Sequence, residues 1–410
     1  MGIQYENCRF SGKSSQVFMK KINYIDEDKI INRKILIRVD YNVSFGKNGQ
    51  IVNDTRIKKS LPTLKLLLEG KNKLILMSHL GKPKGKDLTF SMKPVAERLQ
   101  KYLPEYKVTL INDFQTEKEL LSTQAEKDVF ILENTRFYDG EKKNDPEFSK
   151  QLASLAEIFV SDAFGSVHRA HASVVGVAQF LPSYGGLLLK KETESIYKAI
   201  NNPQRPVIAI VGGAKISTKI GLINKLLEIT DYVLIGGAMA NTFWKAQEYE
   251  IGKSLFEPEF ITQAKSLIEK SKQKNNLVIP IDGLVGNPED LTTPGVAKKN
   301  NEINLDDNIL DIGPETIKTF TQYISQAKTI IWNGPVGYFE NENYKIGTDA
   351  IYEAIVSKNN TVSIVGGGDT LTAIKNKKTN NKITHISTGG GAMLELIEKG
   401  TLPGIEALKK

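Results

Sequence analysis

Short apolar runs alternate with longer amphipathic stretches along almost the whole chain. The apolar runs occupy residues 35–39, 74–77, 107–111, 129–132 and 158–160, then 207–211, 232–235, 277–281, 329–332, 361–365 and 382–387. Because they are continuously apolar rather than alternating, they predict strands covered on both faces. Amphipathic stretches such as 56–69, 148–157 and 219–228 predict helices between them. This βαβ repetition predicts parallel sheets with right-handed crossovers and an α/β fold.

The length of the chain predicts more than one domain. At 410 residues it is too long for a single core, and two domains of about 200 residues are expected. The break between the sheets is expected within 181–206, where a Pro-Ser-Tyr-Gly-Gly turn precedes an amphipathic stretch at 190–200. We therefore predict two doubly wound, Rossmann-like domains, each with a parallel sheet flanked by helices, joined by a hinge helix.

Composition narrows the class of protein. Hydrophobic residues make up 40% of the chain and charged residues 25%, as in soluble globular proteins. No apolar run approaches the roughly 18 residues that span a bilayer, and residues 1–19 lack the apolar core of a secretory signal. The single cysteine, Cys8, permits no internal disulfide and suits a reducing cytosol. The net charge of +8 fits either a solvated basic surface or a nucleic-acid patch, although no zinc or helix-turn-helix spacing accompanies it.

Arginine is confined to the first half of the chain. Eight arginines stand against 47 lysines, and the last of them is Arg205. A guanidinium grips carboxylate or phosphate at two points, so arginine retained in a lysine-rich chain predicts an anion site. Segments with polar residues follow predicted strands at 38–42, 78–83, 133–136 and 161–164, and the first three of them contain arginine or histidine. Ligands of open parallel sheets bind at the carboxyl ends of the strands, where these segments lie. Arg38, inside a strand, suits either this site or a structural pairing.

The second half carries glycine pairs and triplets after its predicted strands. Neither a P-loop nor a G-x-G-x-x-G motif is present. Instead the triplet 366–368 precedes Asp369 and Thr370 at the start of a predicted helix. Such a loop binds phosphate through its amides, or is a tight turn with a helix cap. Asp369 suits Mg²⁺, and Thr370 suits either the cap or a phosphate. A second triplet at 389–391 favours phosphate loops.

Two pairs of spaced cations remain. Lys215 and Lys219, at i and i+4 after a glycine pair, are expected on one helix face, as a phosphate site or a solvated lysine face. His168 and His171 have too few companion ligands to predict zinc. Arg169, between these histidines, is the better candidate for binding an anion.

Nine ordered segments resemble phosphoglycerate kinases. They are RVDYN (38–42), SHLGKP (78–83), LENTRF (132–137), DAFGSVHRAHAS (162–173), GGAKISTK (212–219), GGAMANTF (236–243), WNGPVGYFE (332–340), GGGDT (366–370) and HISTGGGAMLELIEKGTLPGIEAL (385–408). The family transfers a phosphoryl group between 1,3-bisphosphoglycerate and ADP, giving 3-phosphoglycerate and MgATP. The resemblance implies a cytoplasmic, monomeric, Mg²⁺-dependent enzyme of glycolysis with small-molecule substrates, no membrane or nucleic-acid partner, and direct transfer.

The resemblance implies a triose site in the first half. Asp40 and Asn42 match positions at the glycerate hydroxyl and carboxyl groups, and Arg56 matches the catalytic arginine. His79, Arg136 and Arg169 match ligands of the distal 3-phosphate. The full set implied for the triose substrate is Asp40, Tyr41, Asn42, Arg56, His79, Leu80, Gly81, Lys82, Arg136 and Arg169.

The resemblance places the nucleotide on the second half. Lys215 matches the lysine that follows the migrating phosphoryl group, Glu340 a ribose ligand, and Asp369 the Mg²⁺ ligand. The set implied for the nucleotide is Gly212, Lys219, Gly313, Asn333, Glu340, Gly367, Gly368, Asp369 and Thr370. The set implied for catalysis is Arg56, Lys215, Gly366 and Gly389, the glycines acting through their amides.

Domain limits and departures complete the comparison with the family. We expect a poorly ordered extension at 1–18, a triose-phosphate-binding domain at 19–188, a hinge helix at 189–203, a nucleotide-binding domain at 204–388, and a tail at 389–410 that packs back toward the first domain. The chain departs from the family pattern at Ser44, Lys82, Thr218 and Met393, where proline, arginine, aspartate and serine are usual.

Three other functions fit parts of the pattern. A non-catalytic anion- or nucleotide-binding protein could share the fold, and a nucleic-acid-binding protein could use the positive charge. A doubly wound dehydrogenase is disfavoured because the G-x-G-x-x-G motif is missing.

Overall fold

The computed structural model describes residues 21–46, 48–290 and 292–409. The extension predicted at 1–18, and Cys8 with it, lies outside these residues. The secondary structure is dominated by βαβ repetition, and the prediction of an α/β fold with parallel sheets flanked by helices is confirmed.

The first half contains a six-stranded parallel sheet. The strands of this half, six of which form the sheet, are β1 (Lys34–Val39), β2 (Ser44–Phe45), β3 (Ile51–Asn53), β4 (Lys73–Met77), β5 (Lys107–Ile111), β6 (Asp128–Leu132), β7 (Ile158–Asp162) and β8 (Ser183–Gly185). Its α-helices are α1 (Thr55–Glu69), α2 (Lys93–Gln100), α3 (Lys118–Ser122), α4 (Asp139–Lys143), α5 (Pro146–Ala153) and α6 (Leu187–Asn201). The sheet order is β5-β6-β4-β1-β7-β8, while β2 and β3 form a separate hairpin. The central strands are buried on both faces, as their continuous apolar runs predicted.

The second half contains another six-stranded parallel sheet. The strands of this half, six of which form the sheet, are β9 (Val207–Val211), β10 (Tyr232–Ile235), β11 (Leu277–Val278), β12 (Asp282–Val285), β13 (Val296–Lys299), β14 (Ile309–Ile312), β15 (Thr329–Asn333), β16 (Val362–Gly366) and β17 (His385–Ile386). Its α-helices are α7 (Ile220–Ile229), α8 (Met239–Ala246), α9 (Ile261–Ser271), α10 (Pro314–Gln326), α11 (Ile346–Val356), α12 (Gly368–Ala373), α13 (Gly390–Lys399) and α14 (Pro403–Glu406). The order is β11-β10-β9-β15-β16-β17.

The apolar pattern missed one sheet and overextended two strands. Strands β13, β12 and β14 form a three-stranded antiparallel sheet whose edge strand β13 is mostly exposed and carries two lysines, so it has no continuous apolar run. The run at 277–281 forms a strand only at Leu277–Val278, before Pro280, which has no N–H for a ladder. The run at 382–387 forms one only at His385–Ile386.

Helix α6 connects the two sheets and is longer than the stretch at 190–200 predicted. It buries Leu189, Glu192, Thr193, Ile196 and Ala199 and packs against α1 and β7 on one side and β15, β16 and α13 on the other. Residues after α13 contact the first half, where the Gly404 N–H donates to the Val167 carbonyl at 2.8 Å. The domain limits themselves stay a prediction.

Of the helices in the described part of the chain, none has the length and apolar character that a membrane span requires.

Candidate active site

Loops from four parallel strands meet at the carboxyl edge of the first sheet, and His79, after β4, lies in their midst. Its Nδ1 lies 2.9 Å from Arg38 Nη2, and its Nε2 lies 3.3 Å from Arg169 Nη1. Because a guanidinium only donates, we assign the lone pair to Nδ1, at the shorter contact, and the proton to Nε2. The Nε2–H is therefore on the side of Arg169 and can donate to an anion.

The imidazole of His79 is neutral at physiological pH. Burial holds its pKa well below 6.5, and the charges of four arginines lower it further: Arg38, Arg136, Arg169 and Arg56. A neutral imidazole with one N–H can contribute a hydrogen bond to a phosphate without adding a fifth positive charge.

Arg38 is buried inside β1. Besides His79 it contacts the main-chain carbonyls of Met77 and Val39, at 3.3 and 3.4 Å. Of the two roles that the sequence left open, the contacts favour the structural one, in which Arg38 orients His79.

Arg136 and Arg169 are half-buried and have free donor capacity. Arg136 Nη1 donates to the carbonyl of Gly81, and Arg169 Nε donates to His168 Nε2 at 3.1 Å. Burial, together with the charges of Arg169 and Arg38, lowers the pKa of Arg136 to about 10. A bound anion would offset the repulsion among these cations, so the arrangement is electrostatically suited to a phosphate.

An ion pair between Asp40 and Arg56 borders this cluster. Asp40 follows β1 and is almost buried, and Arg56 is in the first turn of α1 with about a third of its side chain exposed. A Cβ on Gly165 would lie 2.3 Å from Asp40 Oδ2 and 3.5 Å from Arg56 Nη1. The pair therefore lies directly against the loop after β7, and a side chain at residue 165 would displace the Asp40 carboxylate.

Asn42 and Gly81 lie together, with the Gly81 N–H donating to Asn42 Oδ1 at 2.9 Å. Gly81 has a φ of +60°, and a Cβ there would meet the Phe90 ring at 2.2 Å, so the loop requires glycine. Lys82, the next residue, is exposed at the surface.

Tyr41 and Leu80 are placed differently from the rest of the predicted triose set. The Tyr41 ring is in the hydrophobic core, with its hydroxyl 2.8 Å from Ser60 Oγ. Leu80 is buried, and its N–H and carbonyl are both bonded to the Asn134 amide, at 3.2 and 2.8 Å. The side chains of both residues support the loops from within the core.

Lys219 joins the predicted nucleotide residues in one network. Its Nζ donates to the carbonyl of Gly212 and, at 2.8 Å, to Asn333 Oδ1. Asn333 ends β15, and its Nδ2 donates to the carbonyl of Gly366 at 2.8 Å. Burial lowers the pKa of Lys219 to about 8, opposed by the charge of Asp369. The network links the glycine pair after β9 to the triplet after β16.

The expectation that Lys215 and Lys219 share a helix face is wrong. Helix α7 begins at Ile220, and both lysines are in the turn before it. The carboxylate of Glu257 accepts from the N–H and hydroxyl of Ser217 at 2.9 and 2.7 Å, which holds this segment out of the helix. Lys215 is exposed, whereas Lys219 points back into the network.

The triplet 366–368 turns sharply into α12. Gly367 has a φ of +107°, and a Cβ there would lie 2.7 Å from Asn333 Nδ2, while a Cβ on Gly368 would meet no atom within 4 Å. Thr370 makes no capping hydrogen bond in α12, so the alternative in which Thr370 caps this helix is wrong. Its buried Oγ1 instead accepts from the Gly334 N–H at 2.7 Å.

A cavity of 550 Å³ opens beside these loops. Its lining includes Gly213, Gly237, Leu255, Asp311, Pro335, Val336, Glu340 and Asp369. Of the other predicted residues, Gly313 packs against Asp282, where a Cβ would lie 2.3 Å from the carboxyl carbon. Its neighbours Asp311 and Ile312 line the cavity instead. The size and mixed polarity suit a nucleotide.

Gly389 brings the two halves into contact. A Cβ on Gly389 would lie 2.7 Å from Gly165 Cα, and one on Gly390 would lie 2.7 Å from Gly367 Cα. The second triplet is therefore placed between the loop that borders the Asp40–Arg56 pair and the loop that borders the cavity. The N-terminus of α13 begins there, with its free N–H groups and partial positive charge.

The donor set suits Mg²⁺ carried by a nucleotide rather than a metal held by protein alone. Across residues 21–46, 48–290 and 292–409, no group of three or more His, Cys, Asp or Glu side chains could hold a metal. Asp369 supplies one exposed carboxylate at the cavity. Mg²⁺ is commonly bound by one or two carboxylates with phosphate oxygens and water, so this single carboxylate fits.

Comparison with known proteins decides the family. A family model described as phosphoglycerate kinase matches residues 25–400. The chain belongs to the phosphoglycerate kinase family. The phosphoglycerate kinase of Dictyoglomus turgidum is 47% identical over 388 residues, covering 94% of this chain and 97% of that protein. The cytosolic phosphoglycerate kinase 3 of Arabidopsis thaliana is 42% identical over 400 residues, covering 95% and 98%. The structure of phosphoglycerate kinase from Coxiella burnetii matches with a TM-score of 0.86 at 39% identity, covering 95% of this chain and 99% of that chain.

Membership of the phosphoglycerate kinase family makes the chain a kinase and a phosphotransferase. Three residues that contact the site were not predicted from the sequence: Gly165, Glu141 and Glu192. Gly165 lies against Asp40, Glu141 accepts hydrogen bonds from Thr135 and Ser173, and Glu192 accepts one from the Thr388 N–H. Gly165 lies within a matched motif, where its position after Asp162-Ala-Phe is the available signal. The two glutamates carry no local signal, because Ser173, which bonds Glu141, and Thr388, which bonds Glu192, are distant from them along the chain.

Proposed function

We propose that this chain catalyses reversible, Mg²⁺-dependent phosphoryl transfer between 1,3-bisphosphoglycerate and ADP, giving 3-phosphoglycerate and ATP, as a step of glycolysis. The observation that carries the proposal is the position of Gly389. It lies against Gly165, beside the Asp40–Arg56 pair, and its neighbour Gly390 lies against Gly367, beside the nucleotide-sized cavity. A group moving between two bound substrates would cross this point.

The arginine cluster would hold the triose. Arg136, Arg169 and the Nε2–H of His79 converge and suit the distal 3-phosphate, since bidentate guanidinium contacts are strong on phosphate. Asp40 and Asn42 would meet the glycerate end. Arg56 would turn from Asp40 toward the transferring group, because one third of its side chain is already exposed.

The glycine loops would hold the nucleotide. Lys219 suits its phosphates, Glu340 its ribose, and the amides of 366–368 and 389–391 the transferring group. Asp369 would hold Mg²⁺, which when bound neutralises charge on the phosphate oxygens. Lys215, exposed in the segment before α7, would follow the migrating group.

The acceptor chemistry explains the choice of side chains. An alcohol acceptor benefits from a base, but the carboxylate of 3-phosphoglycerate has a pKa of about 3–4 and is already ionised. The remaining task is to bring two anions together and to stabilise a metaphosphate-like transition state. Cations and N–H groups are sufficient for it, so we propose direct in-line transfer with no covalent enzyme intermediate.

We further propose that the two halves close about α6, acting as a hinge helix at 189–203, and that closure expels water from the site. Helix α6 contacts elements of both sheets, which supports this role. Small-angle scattering should show a smaller radius of gyration with 3-phosphoglycerate and a MgATP analogue together than with either alone. An unchanged radius would argue against closure.

We also propose that the protein acts as a monomer on small-molecule substrates, without a membrane or nucleic-acid partner. The cytosolic relative from Arabidopsis thaliana supports a cytoplasmic location.

The deciding experiment is steady-state formation of ATP from 1,3-bisphosphoglycerate and MgADP by the purified full chain. Turnover that requires both substrates and is abolished by EDTA would support the proposal. Binding of both ligands without turnover would instead indicate a non-catalytic binding protein.

A further inference from the structure

We propose that Glu141 is a positioning residue for the triose-phosphate site, because its buried carboxylate joins the two chain segments that carry Arg136 and Arg169. This inference rests on the proposed function, in which these two arginines hold the distal phosphate.

Glu141 belongs to the short helix α4 and is fully buried. Its Oε1 accepts from Ser173 Oγ at 2.6 Å and from Thr135 Oγ1 at 3.2 Å, and its Oε2 accepts from the Ser173 N–H at 3.1 Å. His171 Nδ1 approaches Oε1 at 3.7 Å. One carboxylate thus has three hydrogen-bond donors from two separate segments.

Those two segments are the ones that present the arginines. Thr135 immediately precedes Arg136 in the short helical turn after β6. Ser173 and His171 follow Arg169 in the loop after β7. The two segments follow strands that are not adjacent in the sheet, because β4 and β1 lie between β6 and β7. A bridge across that gap holds the two guanidinium groups at a fixed separation.

The charge of Glu141 strengthens the bridge. Burial raises the pKa of Glu141, but His171, the charge of Arg38 and two hydrogen bonds from Ser173 outweigh burial and lower it below its usual value. The carboxylate is therefore ionised, and its hydrogen bonds are charge-assisted. The same charge acts on Arg38 and Arg136, and so offsets part of their mutual repulsion beneath the anion site.

Stabilisation of the fold alone does not explain why residue 141 is a buried glutamate. Replacing a buried ion by a well-packed apolar group is often neutral or favourable for stability, so burial alone does not account for a carboxylate here. Its contacts with the residues next to the phosphate arginines do account for it, because a shift of about 1 Å in a binding group can cost up to roughly a hundredfold in rate.

The test compares Glu141→Ala with Glu141→Gln. Alanine removes the bridge. Glutamine keeps its length, since its oxygen can accept the Ser173 N–H while its amide donates to the two hydroxyls. We expect the Michaelis constant for 3-phosphoglycerate to rise roughly tenfold to a hundredfold in the alanine variant, and to recover most of that loss in the glutamine variant. The Michaelis constant for MgATP should be unchanged in both.

Gln124→Ala is the matched control. Gln124 is buried in the same half, and its Nε2 donates to the carbonyls of Leu74 and Asp128 at 2.9 and 3.0 Å, near the start of β6. The Gln124→Ala substitution should lower the melting temperature without changing the Michaelis constant for 3-phosphoglycerate. If Glu141→Ala behaves like this control, the positioning role is overturned. Should the alanine variant not fold, Ser173→Ala, which removes the 2.6 Å hydrogen bond, takes its place.

Calorimetric binding of 3-phosphoglycerate separates this inference from the proposed function. A wild-type protein that binds 3-phosphoglycerate but forms no ATP would refute the kinase proposal. The inference would then stand or fall on whether Glu141→Ala weakens that binding tenfold or more. A wild-type protein that does not bind 3-phosphoglycerate would overturn both.

Discussion

His385 Nε2 lies 2.7 Å from Glu192 Oε2, and both side chains are buried. Glu192 is on the connecting helix α6, and His385 begins β17 at the edge of the second sheet. The other oxygen of Glu192 accepts from the N–H and hydroxyl of Thr388 at 2.6 and 2.7 Å. One carboxylate thus fastens the connecting helix to the segment that leads into Gly389, one of the residues at which the two halves meet.

We expect Glu192→Ala to destabilise the protein by about 3–5 kcal/mol, because it leaves the buried His385 and the partly buried Thr388 N–H without their acceptor. Thermal unfolding followed by circular dichroism measures the effect as a lower melting temperature. The matched control is Glu395→Ala, which breaks an exposed i,i+4 pair with Lys399 and should cost at most about 0.5 kcal/mol. Equal melting temperatures for the two variants would show that the Glu192 carboxylate does not hold this segment.

Gly389→Ala should reduce turnover strongly while leaving nucleotide binding nearly intact. The added Cβ would lie 2.7 Å from Gly165 Cα and 2.8 Å from the Phe164 ring, so it would push the two halves apart at the point where we propose that the phosphoryl group is transferred. Gly391→Ala is the control, because its Cβ would meet no atom within 4 Å and the amide is kept. Steady-state turnover and the dissociation constant for MgADP measure the two effects. Similar turnover in both variants would contradict the close approach.

Arg56→Ala should lower turnover by roughly 10³–10⁵-fold, the range of arginines that stabilise transferring phosphoryl groups. Arg33→Ala is the control, since the side chain of Arg33 forms an exposed ion pair with Glu157 in the same half and its backbone hydrogen bonds are kept on substitution. Single-turnover ATP formation at saturating substrates measures the chemical step directly. A loss of less than about tenfold would remove Arg56 from the catalytic role.

The lowered pKa of Lys219 predicts that nucleotide binding depends on pH. Because its pKa is lowered to about 8, the ammonium is progressively lost as the pH rises through 8, and its attraction for phosphate is lost with it. The dissociation constant for MgADP should therefore increase above pH 8, by up to about tenfold per pH unit. Lys219→Met should bind more weakly and show a flat profile from pH 7 to about 9.5. Calorimetric titration across this range is the measurement, and parallel profiles for the two proteins would refute the assignment.

Much of the architecture could be read from the chain because the causes are local. Continuous apolar runs such as 207–211 are strands because burial on both faces demands apolar residues throughout, and the whole of β9 is buried. The polar segments after β1, β4, β6 and β7 met as predicted, since parallel strands present their carboxyl ends at one edge. The antiparallel sheet of β12, β13 and β14 was missed because an exposed edge strand needs no apolar run.

Local patterns failed where a residue distant along the chain decided the conformation. The i,i+4 spacing of Lys215 and Lys219 suggested a helix face, but Glu257 binds Ser217 and keeps the segment in a turn. The hydroxyl of Thr370 could have capped helix α12, but it accepts a hydrogen bond from the Gly334 N–H instead. In both cases the competing partner comes from another part of the chain, and nothing in the local sequence announces it.

The amino-acid sequence by itself determined the parallel α/β framework and the types of residue at each strand end, because burial and backbone conformation act over a few neighbouring residues. Only the tertiary structure decided the contact of Gly389 with Gly165, the bridge from Glu141 to Ser173 and Thr135, and the link from Glu192 to His385. Those relationships depend on which surfaces pack together, and packing is settled by the whole fold at once.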